Sequence, residues 1–327
     1  MHTIAPVSDT RLRAWAILAR AALTATAYAD VVVATRAVAP DIEAAAEQIG
    51  ARTAGPDSRD SLAALADRDL VRAERAGAWL LTPDDPAWTG LGFDDLDARD
   101  SRYLEAPIAV WVRGTIDPVS VLTRVGVIGT QAVTPYGAAL TSEIAGALAA
   151  RGVHIVSGGS YGVDVLAHRT ALDHGVPTTL VSAAGIDRVY PTSLAQVFDA
   201  VTETGAIVSE YPPCEEIDRA RLIARNRLVA AMSRQLVIPE AGVRSGTLST
   251  ARWARRLHRP VLAVPGPTAA SRGCGQLISD GHARPVHSVA DVLAALDETA
   301  DPEPRHPHSC IPRFGSGRDR IEDATVR

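Results

Sequence analysis

The chain has 327 residues, of which 46% are apolar and 22% charged, with a net charge of −5. That is enough chain for a large core and two domains. No stretch approaches the roughly 20 uninterrupted apolar residues of a membrane span. The three separated cysteines, Cys214, Cys274 and Cys310, support neither a disulfide framework nor a zinc site. All 33 basic residues are arginine, which excludes a P-loop lysine and a Schiff-base lysine.

The N-terminus has no basic start leading into a continuous apolar segment, and with the cysteine usage this places the expected protein in the cytoplasm. Helical periodicity marks Arg11–Ala29, Asp41–Gly50 and Ser61–Ala76, with Ser61 as the expected N-cap. Residues 1–76 therefore read as a small all-helical N-terminal domain. From about residue 77 the texture changes. Strands are predicted at Ala78–Leu81, Ala109–Val112, Val125–Ile128, Val153–Val156, Thr179–Ser182, Ile207–Ser209, Leu236–Ile238 and Val261–Val264. Most are Val- and Ile-rich without alternation, as expected of parallel strands covered on both faces. Helices are predicted between them at Ala138–Ala150, Asp164–His174, Ser193–Thr202, Arg219–Ser233 and Thr247–Leu257, with a last one at Val289–Leu296. The pattern predicts an α/β, Rossmann-like, doubly wound and mostly parallel sheet over residues 77–297, with its ligand at the carboxyl ends of the strands. Residues 298–327 are rich in Pro, Gly and mixed charge and are expected to be a disordered tail.

Four segments should meet at those strand ends. They are Gly129-Thr130-Gln131, Ser157 to Asp164, Arg225-Asn226-Arg227 and Ser245-Gly246-Thr247. Small residues at the head of a helix leave backbone N–H groups open to an anion, usually a phosphate. Guanidinium forks and an amide suit phosphate oxygens and base edges. Between Arg219 and Arg259 ten arginines stand against one acid, Glu240. One basic block in a mildly acidic protein points to a polyanion bound in one place.

Two other readings of this stretch compete. Asp164 and His168 lie one helical turn apart, as an acid–base pair would, but a helix cap and a packed histidine explain them as well, and no third metal ligand is evident. Gly158-Gly159-Ser160-Tyr161-Gly162 fits the strand–turn–helix G-x-S-x-G of a hydrolase. Ser160 would be its nucleophile, with Asp187 or Asp280 and His258 or His282 downstream, but no HGGG-like oxyanion loop precedes it.

Taken in order, VGVIGTQ, VSGGSYGVDVLAH, VYP at Val189–Pro191, SEYPP at Ser209–Pro213, RNRLVAAMS, EAGVRSGTLSTA and RPVLAVPG resemble the DNA-processing protein A family across about residues 78–287. The resemblance implies an extended Rossmann-like domain that binds single-stranded DNA. It also implies a homodimer that protects incoming DNA in natural transformation and helps load a RecA-type recombinase. Neither catalysis, a cofactor, a metal nor a membrane is implied. By position, Ser157, Gly158, Gly162 and Asp164 match the family's SG-x-x-x-G-x-D loop, and Arg225, Asn226 and Arg227 its RNR. Ser245, Gly246 and Thr250 match its SG-x-x-x-T element, Arg259 a later basic position, and Pro265-Gly266 its PG.

The chain departs from the pattern at Gln131 and Tyr161, where the family usually carries a cation, and at Gly275, where it carries asparagine. Tyr161 is suited instead to stacking on a base. A related family of nucleotide phosphoribohydrolases carries a glutamate where SGTLSTA has Thr250. The expected interface therefore comprises Gly129, Thr130, Gln131, Ser157, Gly158, Gly159, Tyr161, Gly162 and Asp164 on one side. On the other stand Arg225, Asn226, Arg227, Arg244, Ser245, Gly246, Thr247, Thr250 and Arg259. Arg225, Arg227 and Arg244 are expected to neutralise phosphate charge.

Overall fold

In the computed structural model the described residues are 9–24, 31, 42–52, 60–96, 106–116 and 123–298. The expected tail beyond residue 298, the far end of the first expected helix and the acidic residues 97–105 lie outside them. Among the described residues three helices come first: α1 (Asp9–Ala22), α2 (Ile42–Gly50) and α3 (Leu62–Arg75). Ser61 caps α3, its side chain accepting from the Ala64 N–H at 3.1 Å, which satisfies one of the orphan donors of the first turn.

The sheet strands are β1 (Ala78–Leu81), β2 (Val110–Gly114), β3 (Arg124–Val127), β4 (His154–Gly158), β5 (Thr178–Ser182), β6 (Ala206–Ser209), β7 (Gln235–Ile238), β8 (Val261–Ala263) and β9 (Arg284–Pro285). They form one nine-stranded sheet in the order β1-β2-β6-β5-β4-β3-β7-β8-β9. All pairings from β6 through β9 are parallel, while β1–β2 and β2–β6 are antiparallel. Between the strands run α4 (Pro135–Ala150), α5 (Val163–Asp173), α6 (Ala195–Thr204), α7 (Arg219–Ala231), α8 (Thr247–Arg256) and α9 (Arg272–Ser279), and α10 (Val289–Glu298) closes the order.

The expected α/β doubly wound sheet is the architecture found. Strand order reverses between β3 and β7. The chain proceeds from β3 through β4 and β5 to β6 on one side, then crosses back through α7 to start β7 on the other. In such sheets the crevice outside the carboxyl ends at the reversal is where ligands bind.

Strand residues alternate between two apolar layers. Leu236, Ile238, Val156 and Val181 pack with α7, α8 and Leu277 of α9 on one face. Val125, Val127, Ile155 and Val237 pack under α4, α5 and α10 on the other. Toward β5, β6, β2 and β1 that second face is covered by α6 together with α1, α2 and α3, which share one core with Leu180, Ile207, Trp111 and Leu80. Arg20 of α1 bridges Asp69 of α3 and Glu215 after β6, each at 2.6 Å.

The structure corrects three expectations. Helix α4 starts a turn earlier than its apolar pattern, because Thr134 accepts from the Gly137 N–H and Pro135 occupies the first turn. Strand β4 runs on to Gly158 rather than ending at Val156. The pair α9 and β9 was not foreseen.

Candidate functional site

The loops after β3, β4 and β7 meet at the carboxyl end of the sheet, and their own atoms tie them together. The Val163 N–H, at the head of α5, donates to the Thr130 carbonyl at 3.2 Å. The Thr130 N–H donates to the Glu240 carbonyl at 2.9 Å. The Thr247 hydroxyl, at the head of α8, donates to the Gly129 carbonyl at 2.9 Å. Asn226 of α7 donates from Nδ2 to the Gly246 carbonyl at 3.3 Å.

Gly162 sits where the first two loops touch. Its φ is +80°, and a Cβ there would stand 2.2 Å from the Thr130 carbonyl oxygen and 2.6 Å from that of Gln131. Only glycine meets both conditions. The four expected segments therefore converge.

What converges is largely backbone. Among the described residues, the N–H groups of Gln131, Tyr161, Gly162 and Gly246 have no acceptor within the protein. They flank the heads of α5 and α8, where helix dipoles add partial positive charge. The Ser160 N–H is taken by Asp164 Oδ2 at 3.3 Å. The Ser157 hydroxyl is buried and donates to the Val127 carbonyl at 2.6 Å. Ser245 Oγ lies 2.7 Å from Thr247 Oγ1 and accepts from the Thr247 N–H at 3.2 Å. Thr250 is buried within α8. Ser157, Asp164, Ser245 and Thr247 thus shape the turns.

The arginines divide into two groups, and this corrects the sequence reading. Arg225 is 6% exposed. It lies under Gly158, where an added Cβ would come within 2.0 Å of its Nη1, and it donates to the Val181 carbonyl at 3.0 Å. Burial pushes its pKa down, against the pull of Asp164. Burial pushes the Asp164 carboxyl up, opposed chiefly by Arg225. Arg227 points along a different side of α7, onto Glu210 at 2.5 Å and the Ala224 carbonyl at 2.9 Å. Arg259 precedes β8 at the amino end of the strand, away from the crevice, and is buried on Asp95.

Arg244 is exposed in the loop after β7, as expected. Arg272, not foreseen, is exposed at the head of α9. The next residue, Gly273, donates to the Ala241 carbonyl at 2.7 Å and packs so tightly that its Cβ would meet the Gly242 carbonyl at 2.5 Å, which brings Arg272 beside the 242–245 loop. Neither Arg244 nor Arg272 has an ion pair among the described residues. The only sequence signal for Arg272 was its place six residues after Pro265-Gly266.

Glu240 is fully buried at the strand reversal. Its carboxylate accepts from the Thr134 N–H and the Thr134 hydroxyl, each at 2.8 Å, and from the Thr268 hydroxyl at 3.3 Å. It thereby caps α4.

His168 is fully buried, with Nε2 at 2.9 Å from the Gly158 carbonyl and Nδ1 at 2.7 Å from Thr178 Oγ1. Burial lowers its pKa to about 4, so the ring is neutral near pH 7 and Nε2–H donates to Gly158. His168 is a packed residue that holds the end of β4.

The Ser160 side chain forms no bond to a histidine among the described residues. Asp187 accepts from the Cys214 N–H at 2.8 Å. The hydrolase reading finds no support, and neither does the phosphoribohydrolase reading, since buried Thr250 occupies the place of the needed carboxylate. Among the described residues no cluster of three His, Cys, Asp or Glu side chains could hold a metal, and no helix is long and apolar enough to cross a membrane.

A family model described as DNA recombination-mediator protein A matches residues 82–297. A Mycobacterium tuberculosis relative named putative DNA processing protein DprA is 38% identical over 310 residues, covering 91% of this chain and 79% of its own length. The DNA processing protein DprA of Streptococcus pneumoniae is 34% identical over 199 residues, 60% of this chain and 70% of that protein. Its X-ray structure matches the fold with a TM-score of 0.66 at 24% identity, over 89% of this chain and 98% of that one. DNA processing protein A of Helicobacter pylori, described for its single-stranded DNA binding mode, matches with a TM-score of 0.58 at 30% identity over 68% of this chain and 96% of that one.

Proposed function

This chain belongs to the DNA recombination-mediator protein A family, and from that premise we propose that it binds single-stranded DNA across the carboxyl end of its sheet. The observation that carries the reading is the meeting of the β3, β4 and β7 loops, with four N–H groups lacking an internal acceptor beside exposed Arg244 and Arg272. Backbone phosphates rest on the N–H groups of Gln131, Tyr161, Gly162 and Gly246, with Asn226 behind them. Arg244 and Arg272 supply the charge. Arg225 supports the turn from beneath, and Arg227 and Arg259 take no part. The protein acts by binding, with no chemical step. We further propose that the bound strand is delivered to a RecA-type recombinase and that the protein is a homodimer; the family's description as a recombination mediator supports the first of these. Filament assembly on single-stranded DNA and the mass in solution read these out.

Fluorescence anisotropy with a single-stranded oligonucleotide at several salt concentrations tests the site. Each phosphate contact contributes about 0.7 to the slope of log K against log salt. An Arg244→Ala/Arg272→Ala variant should lower that slope by about 1.4 and weaken binding on the order of tenfold at 0.1 M salt. An unchanged slope would reject this placement.

A further inference from the structure

Phosphate contacts alone do not tell single from double strands, because both present the same backbone. A preference for single strands needs surfaces that meet base faces, which a duplex hides in its stack. Among the described residues three aromatic side chains are exposed: Tyr136 at 39%, Tyr161 at 46% and Tyr190 at 51%. All three lie at the carboxyl end of the sheet. Tyr136 is in the first turn of α4 after β3, Tyr161 is in the loop after β4, and Tyr190 is in the loop after β5. Since β4 and β5 are neighbours in the sheet, Tyr161 and Tyr190 mark adjacent strands, while the Tyr136 ring, set against Gly266 after β8, stands on the far side of the β3–β7 crevice in the same carboxyl-end surface. We propose that Tyr136, Tyr161 and Tyr190 form a stacking track for unpaired bases that crosses the sheet at right angles to its strands, beside the amide-lined turns.

The proposal rests on the single-stranded DNA reading above and extends it to the residues that recognise bases. Two of the three rings are held in place. Tyr161 Oη is 2.5 Å from Ser193 Oγ, which joins the β4 loop to the β5 loop carrying Tyr190. The backbone on either side of Tyr161 is fixed by the Ser160–Asp164 bond and by Gly162 under Thr130. The Tyr136 ring lies against Gly266, where an added Cβ would stand 3.2 Å from Cε1. An exposed ring fixed in advance loses little freedom when a base lies on it. Tyrosine faces also accept any base, so the track gives strand-type preference without sequence preference. A protein partner would use the same rings as apolar anchors, and the test separates the two.

The experiment measures anisotropy for an oligothymidylate and for an abasic strand of equal length, which keeps the phosphates and lacks the bases. Wild type should bind the oligothymidylate about a hundredfold to a thousandfold more tightly, taking about tenfold for each of two or three stacked bases. A Tyr136→Ala/Tyr161→Ala/Tyr190→Ala variant should lose most of that ratio and keep the wild-type salt slope, since no charge is removed. The matching triple Phe variant should keep the ratio, because the rings remain. An unchanged ratio in the Ala variant overturns the track and leaves phosphate binding standing. Failure of the wild-type chain to bind either strand overturns both the binding reading and the track.

Discussion

Arg225 and Arg227 are separated by a single residue in the sequence, yet they have unrelated jobs. Two positions on a helix differ by about 200°, so one side chain goes under Gly158 and the other to Glu210. Sequence showed the charge of Arg225-Asn226-Arg227 and its place after β6. It could not show that the first guanidinium is buried, since arginine is rarely buried without a partner. Removing Arg225 leaves the Asp164 carboxyl in a low-dielectric site without its main opposing charge. Arg225→Ala should therefore cost roughly 1–3 kcal/mol of stability, the range for leaving a buried polar group without its partner, measured by urea unfolding. At temperatures where the variant is folded, its DNA-binding salt slope should match wild type. A lowered slope would return Arg225 to the phosphate contacts.

Elements were most legible where one physical signal dominated. Apolar runs without alternation marked β3 to β8 within one or two residues, because parallel strands are covered on both faces. Helix α9 was not legible: Arg272–Ser279 contains two glycines and spans only eight residues, so its intrinsic helix propensity is low. It is held by Ala241, which lies far back in the chain.

The join between β4, α5 and β5 carries a pH signature. His168 is held neutral with a pKa of about 4 and His154, 2.7 Å from Thr179 Oγ1, with one of about 3, both mainly by burial. Between pH 6.5 and 4 the unfolded chain takes up protons that the folded chain refuses, so stability falls as the pH falls. The slope is about 1.4 kcal/mol per pH unit for each histidine. Urea unfolding at pH 6.5 and 5 should show it, and His168→Gln should remove about half. An equal slope in that variant would mean that His168 takes up a proton while folded.

At the scale of the whole molecule, the sheet's class and the meeting of the four segments at its carboxyl end were readable, whereas its strand order was not. Nothing in the apolar runs says that β2 lies antiparallel beside β6, or that β7 returns to β3. The helices of residues 9–75 read as a separate unit because their alanine-rich texture differs from that of the strands. In the structure α1 to α3 share a core with β1, β2, β5 and β6, and Arg20 ties them to the loop after β6. The first helical segment therefore braces the edge of the sheet on which the β6 loop is hung.

The capping carboxylate of Glu240 has a consequence for which small metabolites the protein ignores. In nucleotide-binding sheets, the helix after the strand at the reversal greets a diphosphate with its leading amides. Here that berth is already taken by a tethered anion, gripped through Thr134 and Thr268. A free nucleotide would have to dock against a resident negative charge, whereas a long polymer can pass over it and anchor on either side. Adenosine mono- and triphosphate should therefore fail to displace a bound oligonucleotide in an anisotropy competition. Displacement by either one would show that Glu240 yields its place.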